Sequence, residues 1–172
     1  MASRCDYCAC CKEFKATQLC TGCRGVMYCS KEHQLQHWKQ HKAVCHHLRE
    51  ANQKGFVKVI TTPAADPSKK PAAGNTVKVN YYGYLASGKR FDSNDGFEFT
   101  IGVGQVIRGW DEGVATMAVG EKATFYISAG YAYGERGFPP DIPPKYPLVF
   151  DVELVSVSEG HHGCGCGCAC GH

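Results

Sequence analysis

The sequence predicts an α+β protein: an antiparallel β-sheet packed on one short helix, with a metal-held module before it and a low-complexity tail after it. Three observations carry this. Cysteine is confined to the two ends, with eight of the 12 Cys in residues 5–45 and four in 164–170. The Cys-free middle alternates apolar and polar residues in short runs, the period of half-buried strands. One segment, IRGWDEGVATM (107–117), instead spaces Ile107, Trp110, Val114 and Met117 three or four apart, the period of a helix.

The chain divides into residues 1–45, rich in Cys and His, a polar stretch at 46–54 that reads as a short linker or the end of a helix, a β-rich domain at 55–158, and a tail from 159 to 172 read as disordered. A disulfide-stapled secreted fold would spread its cysteines through its core. No apolar h-region opens the chain and no run approaches ~20 apolar residues, so neither a signal peptide nor a membrane span is expected. A reducing compartment follows as the expectation, cytoplasm or nucleus. The net charge of +3 does not argue for nucleic acid. The basic excess of residues 1–53, eight Lys and Arg against four Asp and Glu, reads as a solvated face.

In the first segment the spacing is Cys8-x2-Cys11-x8-Cys20-x2-Cys23-x5-Cys29-x3-His33-x7-His41-x3-Cys45. Four ligand-spaced pairs make two tetrahedral Zn²⁺ sites. Cys29/His33 and His41/Cys45 have the i,i+4 spacing of one helix face, and Ser30 suits a helix cap. Protein ligands fill each site, so both ions are structural. Together with YCSKEHQ (28–34), HW (37–38) and HKAVC (41–45), these pairs resemble the MYND zinc finger over residues 5–45. The family's interleaving implies one site from Cys8, Cys11, Cys29 and His33 and another from Cys20, Cys23, His41 and Cys45. Cys5/Cys8 is the alternative first pair, since Cys5 and Cys10 are surplus thiols. MYND modules bind proline-containing peptides, and the family's groove positions fall on Gln34 and Trp38. Trp38 reads equally well as core of so small a module. His37, His46 and His47 match neither ligand set.

In the middle, FVKVI (56–60), TVKVNYYGYL (76–85), GFEFTI (96–101), KATFYISA (122–129) and PLVFDVELVSV (147–157) read as strands. PAADPSKKPAAG (63–74) is a loop, and YGERGFPPDIPPKYP (133–147), with five prolines, is a second. KRFDS, VIRGWDEG, YAYGERG, IPP and LVFDVEL, in this order, resemble the FKBP family of rapamycin-binding peptidyl-prolyl isomerases across about 55–157. That family's fold is an antiparallel sheet wrapped around one short helix. The resemblance implies a pocket with Trp110 as its floor. Tyr81, Phe91, Phe97, Val106, Ile107 and Phe150 would be its apolar walls. Asp92, Tyr133 and the Ile107 N–H would be its polar groups, and Ile142 would lie on an overhanging loop. It also implies proline-containing client segments and rapamycin-type macrolides as ligands, with no cofactor for catalysis. The sequence departs from the smallest members between Asn94 and Gly96, where a basic residue beside the pocket Asp is missing. Phe138 forms an apolar rim.

In the tail, Cys164, Cys166, Cys168 and Cys170 alternate with Gly or Ala and are flanked by His161, His162 and His172. That spacing suits an extra soft metal.

Overall fold

The structure, a computed structural model, describes residues 8–11 and 16–159. Cys5 and the metal reading of the tail lie outside the described residues.

Two two-residue strands, β1 (Gln18–Leu19) and β2 (Met27–Tyr28), pair antiparallel and open the finger. A 24-residue helix, α1 (Lys31–Lys54), follows. Ser30 caps it as its spacing predicts: the Ser30 Oγ accepts the His33 backbone N–H at 3.2 Å. Gly55, at φ 100°, ends it. Cys29 therefore precedes the helix and His33 opens it, whereas His41 and Cys45 lie one turn apart within it.

The stretch 46–54 is not a linker. It is the last third of α1, and Leu48 and Ala51 within it are fully buried. The polar composition of HHLREANQK conceals this, because only two apolar residues, three apart, are needed to seat a helix on a neighbour.

The second module is a five-stranded antiparallel sheet in the order β3-β6-β7-β4-β5. Its strands are β3 (Phe56–Thr62), β4 (Thr76–Leu85), β5 (Arg90–Thr100), β6 (Lys122–Ile127) and β7 (Leu148–Ser158). Alternation places β4 at its predicted bounds. β5 starts six residues earlier than its alternation suggests, because the polar run Asp92–Asp95 pairs with Asn80–Gly83 of β4 across a bulge. A short helix, α2 (Arg108–Val114), crosses the sheet. A Cβ on Gly109 would come within 2.6 Å of Ile127, so glycine there lets α2 lie close on β6. Trp110, Val114 and Met117 join Val77, Phe125, Leu148 and Leu154 in the core. No helix among the described residues is long and apolar enough to cross a membrane.

The two modules share apolar surface. The finger's core, Val26, Met27, Tyr28 and Leu48, continues into Ala86, Tyr126, Tyr146 and Val149 of the second module. The His47 ring stacks on Tyr126, with centroids 4.7 Å apart. Gly25 sits on Pro147, where a Cβ would meet the proline Cγ at 2.5 Å. Gly25→Ala is therefore expected to cost about 1–3 kcal/mol by forcing the modules apart. A thermal melt unchanged by that substitution would show that the contact carries no load.

Candidate active site and metal centres

A cavity of about 480 Å³ opens on the face of the sheet that α2 covers. Position in the fold explains its lining. Tyr81 comes from the middle of β4, Phe91, Asp92 and Phe97 from β5, and Phe150 from β7. Val106 and Ile107 lie just before α2, and Trp110 lies in its first turn. Tyr133 comes from the proline-rich loop.

Trp110 is 4% exposed and meets three rings edge-on. Their centroids lie at 4.8 Å (Tyr81), 5.2 Å (Phe150) and 6.1 Å (Phe97). Phe91 in turn meets Phe150 edge-on at 5.6 Å. Edge-to-face packing of this kind fixes ring orientation and adds about 0.5–1.5 kcal/mol per pair beyond burial. The indole N–H of Trp110 is buried and has no acceptor among the described residues. Such a donor costs roughly 1–3 kcal/mol, which the ring's packing sustains.

The polar groups are few and held in place. The Tyr81 hydroxyl donates to Asp92 Oδ2 at 2.7 Å, and the Ser93 N–H donates to Asp92 Oδ1 at 2.8 Å. Burial, and then the bond to Asp92, push the Tyr81 phenol above its usual range. Burial and the Asp92 charge do the same to Tyr133. Both hydroxyls therefore stay protonated donors well into alkaline solution. Ile107 is the residue before α2, and its carbonyl accepts the Trp110 and Asp111 N–H groups. Its own N–H has no acceptor among the described residues.

Nine of the ten residues expected in the pocket line this one cavity. Ile142 lies on the proline-rich loop, 2% exposed and bridged to Phe138, and is not among the lining residues. Gly104 and Gln105 line the cavity and were not predicted. Their position immediately before Val106 is the one signal that pointed to them. Phe138 is 57% exposed, with its ring 5.5 Å from that of Tyr133 at the rim.

In the finger, Cys8, Cys11, Cys29 and His33 form one cluster and Cys20, Cys23, His41 and Cys45 a second. Within each, the four ligand atoms lie inside 4.8 Å of one another. Cys11 Sγ to Cys29 Sγ is 3.7 Å and Cys20 Sγ to Cys45 Sγ is 3.8 Å. A tetrahedron with ~2.3 Å Zn–S bonds has sulfur–sulfur edges of about 3.8 Å, whereas a disulfide requires ~2.05 Å. Cys23 Sγ lies 3.4 Å from His41 Nε2, which makes Nε2 the ligand atom of that ring. In the second cluster, hydrogen bonds from Cys23 and His41 pull the Cys20 thiol down, while its bond to Cys20 and burial push Cys23 up. One thiolate thus opposes the next unless a cation neutralises both. Donor chemistry and spacing fit Zn²⁺ at both clusters.

Trp38 is 40% exposed and so lies outside the finger's core, and Leu35, three residues before it, is 65% exposed. Gln34 is half-buried in the turn before them. His37 receives a 2.8 Å hydrogen-bond contact from Tyr28 Oη at Nδ1. A third ligand-like group, His46, His47 and Glu50, lies on α1, where Glu50 accepts from Lys54.

Comparison with known proteins agrees with both halves. The MYND finger pattern matches residues 5–45, and the FKBP-type peptidyl-prolyl cis-trans isomerase pattern matches residues 67–155. The chain is 50% identical over 105 residues to "Peptidyl-prolyl cis-trans isomerase Fkbp12" of Drosophila melanogaster, which covers 59% of this chain and 97% of that protein. It is 50% identical over 97 residues to "FK506-binding protein 1" of Yarrowia lipolytica, covering 54% and 90%. The protein of the same name from Saccharomyces cerevisiae is 47% identical over 108 residues, covering 60% and 95%. A wedge of aromatic rings under a small helix, framed by a five-stranded sheet and preceded by two Cys/His clusters, thus has its counterpart in known sequences: the chain belongs to the FKBP-type peptidyl-prolyl cis-trans isomerase family and carries a MYND finger at its amino-terminal end.

Proposed function

We propose that this isomerase acts on Xaa–Pro bonds of protein clients by desolvating and twisting the amide in the Trp110 cavity. The observation that carries the reading is the cavity's make-up: an aromatic floor and walls, with a few polar groups and no nucleophile–base pair. Rotation about the amide faces a barrier of ~18–20 kcal/mol because resonance must be broken. No bond is made or cleaved, so neither a base nor a metal is required. The twisted transition state loses charge separation across C–N, and an apolar pocket that strips water from the carbonyl favours it over the planar ground state. Each ~1.4 kcal/mol of that difference is tenfold in rate.

Trp110 supports the proline ring, and Tyr81, Phe91, Phe97, Val106, Ile107 and Phe150 exclude water around it. The free Ile107 N–H and the Tyr133 hydroxyl orient the substrate carbonyls. Asp92 holds Tyr81 against the floor. A rapamycin-type macrolide would occupy the same walls. Tyr81→Phe, which frees Asp92, is expected to lower kcat/KM by about tenfold. An unchanged value would remove Asp92 from the mechanism. A protease-coupled isomerisation assay on short Xaa–Pro peptides tests the whole reading, and no acceleration by the zinc-loaded protein would sink it.

The finger, in this reading, holds two structural Zn²⁺ and recruits proline-containing partner segments on Gln34 and Trp38. What supports this is the exposed Leu35–Trp38 pair, a flat apolar face on which proline packs. Tethering a client there raises its effective concentration at the neighbouring cavity.

A further inference from the structure

A groove of about 850 Å³ runs between the two modules. One wall is the finger's knuckle up to Arg24, a second is the last turns of α1, and the third is the isomerase surface at Tyr131 and Lys145. Among the described residues, every charged side chain that lines it is cationic: Arg24, Arg49, Lys54 and Lys145. The four come from three separate parts of the chain, and the fold gathers them on one groove.

Two of the four have partners. Lys54 meets Glu50 at 2.6 Å and Lys145 meets Glu135 at 3.1 Å, both in solvent-exposed pairs that an incoming anion can replace. Arg24 and Arg49 have no carboxylate within ion-pair distance among the described residues. The carbonyl end of α1 opposes an anion with about half a charge. The two unpaired guanidinium charges of Arg24 and Arg49 outweigh it. The walls are also fixed in advance: Asn52 Nδ2 donates to the Cys23 carbonyl at 2.8 Å, tying the helix end to the knuckle.

The groove and the cavity are linked through one short stretch of chain. Tyr131 on its wall and Tyr133 in the cavity are two residues apart, at most about 7 Å of backbone. A client extended across both would need only a few residues between its proline and an acidic stretch. Arginine pairs carboxylates through two parallel N–H bonds, which suits Glu or Asp side chains. Nucleic acid fits less well, because the groove's one aromatic ring, Tyr131, is already covered by the Arg108 guanidinium at 4.3 Å.

We propose that the groove between the finger and the isomerase is an exosite for an acidic peptide segment of the client whose Xaa–Pro bond occupies the cavity. This rests on the isomerase reading of that cavity. The test uses the full-length zinc-loaded protein and Xaa–Pro peptides with four Glu on the amino-terminal flank, four Glu on the carboxy-terminal flank, or four Gln on either. At low salt, one Glu-flanked peptide is expected to show about tenfold higher kcat/KM than its Gln counterpart, through KM alone. Half-molar NaCl should erase the difference. Arg49→Gln together with Lys54→Gln should erase it too, while turnover of the Gln-flanked peptides stays at the parent value and reports an intact fold. Equal kcat/KM for Glu and Gln flanks in the parent protein overturns the proposal, as does an advantage that survives the double substitution. An unlabelled single-stranded oligonucleotide that displaces a fluorescent acidic peptide more strongly than the peptide displaces itself overturns it in favour of nucleic acid. Failure to turn over any peptide would strike the isomerase reading first, and so is distinct from failure of the exosite.

Discussion

Trp110→Ala is expected to abolish at least about 99% of the acceleration of Xaa–Pro isomerisation and to cost about 3–5 kcal/mol of stability. The indole packs edge-on against three wall rings at the floor of the cavity. Removing it leaves a void that water can enter from the cavity, which solvates the amide carbonyl and restores the planar ground state's advantage. Trp110→Phe separates the two losses. It keeps an aromatic floor and deletes the buried indole N–H that has no acceptor, so stability should fall much less than in the Ala variant. Phe91→Ala removes a wall that is only half-buried and should fold, while losing most of the rate. A folded Phe91→Ala protein that matched the parent rate would show that the apolar walls do not drive the reaction.

Removal of zinc is expected to unfold the finger while the five-stranded sheet persists. β1 and β2 have two residues each, and the module's apolar core is a few side chains around Tyr28 and Leu48. Zinc in such sites contributes about 10–16 kcal/mol of apparent binding energy, which exceeds anything so small a core can supply. A strong chelator should therefore lower far-UV helical signal, expose the finger thiols to an alkylating dye, and leave the near-UV signal of the Trp110 cluster in place. Acid should do the same as the chelator, because every ligand must be deprotonated to hold the metal. Turnover of short Xaa–Pro peptides should change only a few-fold. If the thiols stay protected after the metal is gone, the two clusters are not what holds the finger together.

Much of this was legible in the sequence, for physical reasons that differ from site to site. β4 is read at its bounds because TVKVNYYGYL alternates through its whole length. Its partner β5 is read late because FDSND carries no alternation, and only the ladder to β4 makes it strand. Spacing marks four ligand pairs, and the resemblance to the MYND finger implies how they interleave; the two clusters of the structure have that interleaving. The cavity was legible through motif order; no single residue marks it, as Trp110 or Phe150 alone would read as core. What the sequence concealed depends on tertiary contacts. The stretch 46–54 reads as either a linker or a helix end, because the buried face that decides it is two residues wide. Ile142 lies on the proline-rich loop as expected, and its burial there comes from contacts that no local pattern shows. The basic groove is invisible in the chain because its four cations come from positions as far apart as 24 and 145.

The apolar seam around Ala86, Tyr126, Tyr146 and Val149 bears on how this protein can be taken apart. An isomerase cut free before Gly55 would present that seam to water as a sticky scar. Its poor behaviour in isolation would then say nothing about catalysis. Dissection is better done by surface charge and by metal than by scissors, and any graft of this finger onto another isomerase would need the Pro147 seat transplanted with it.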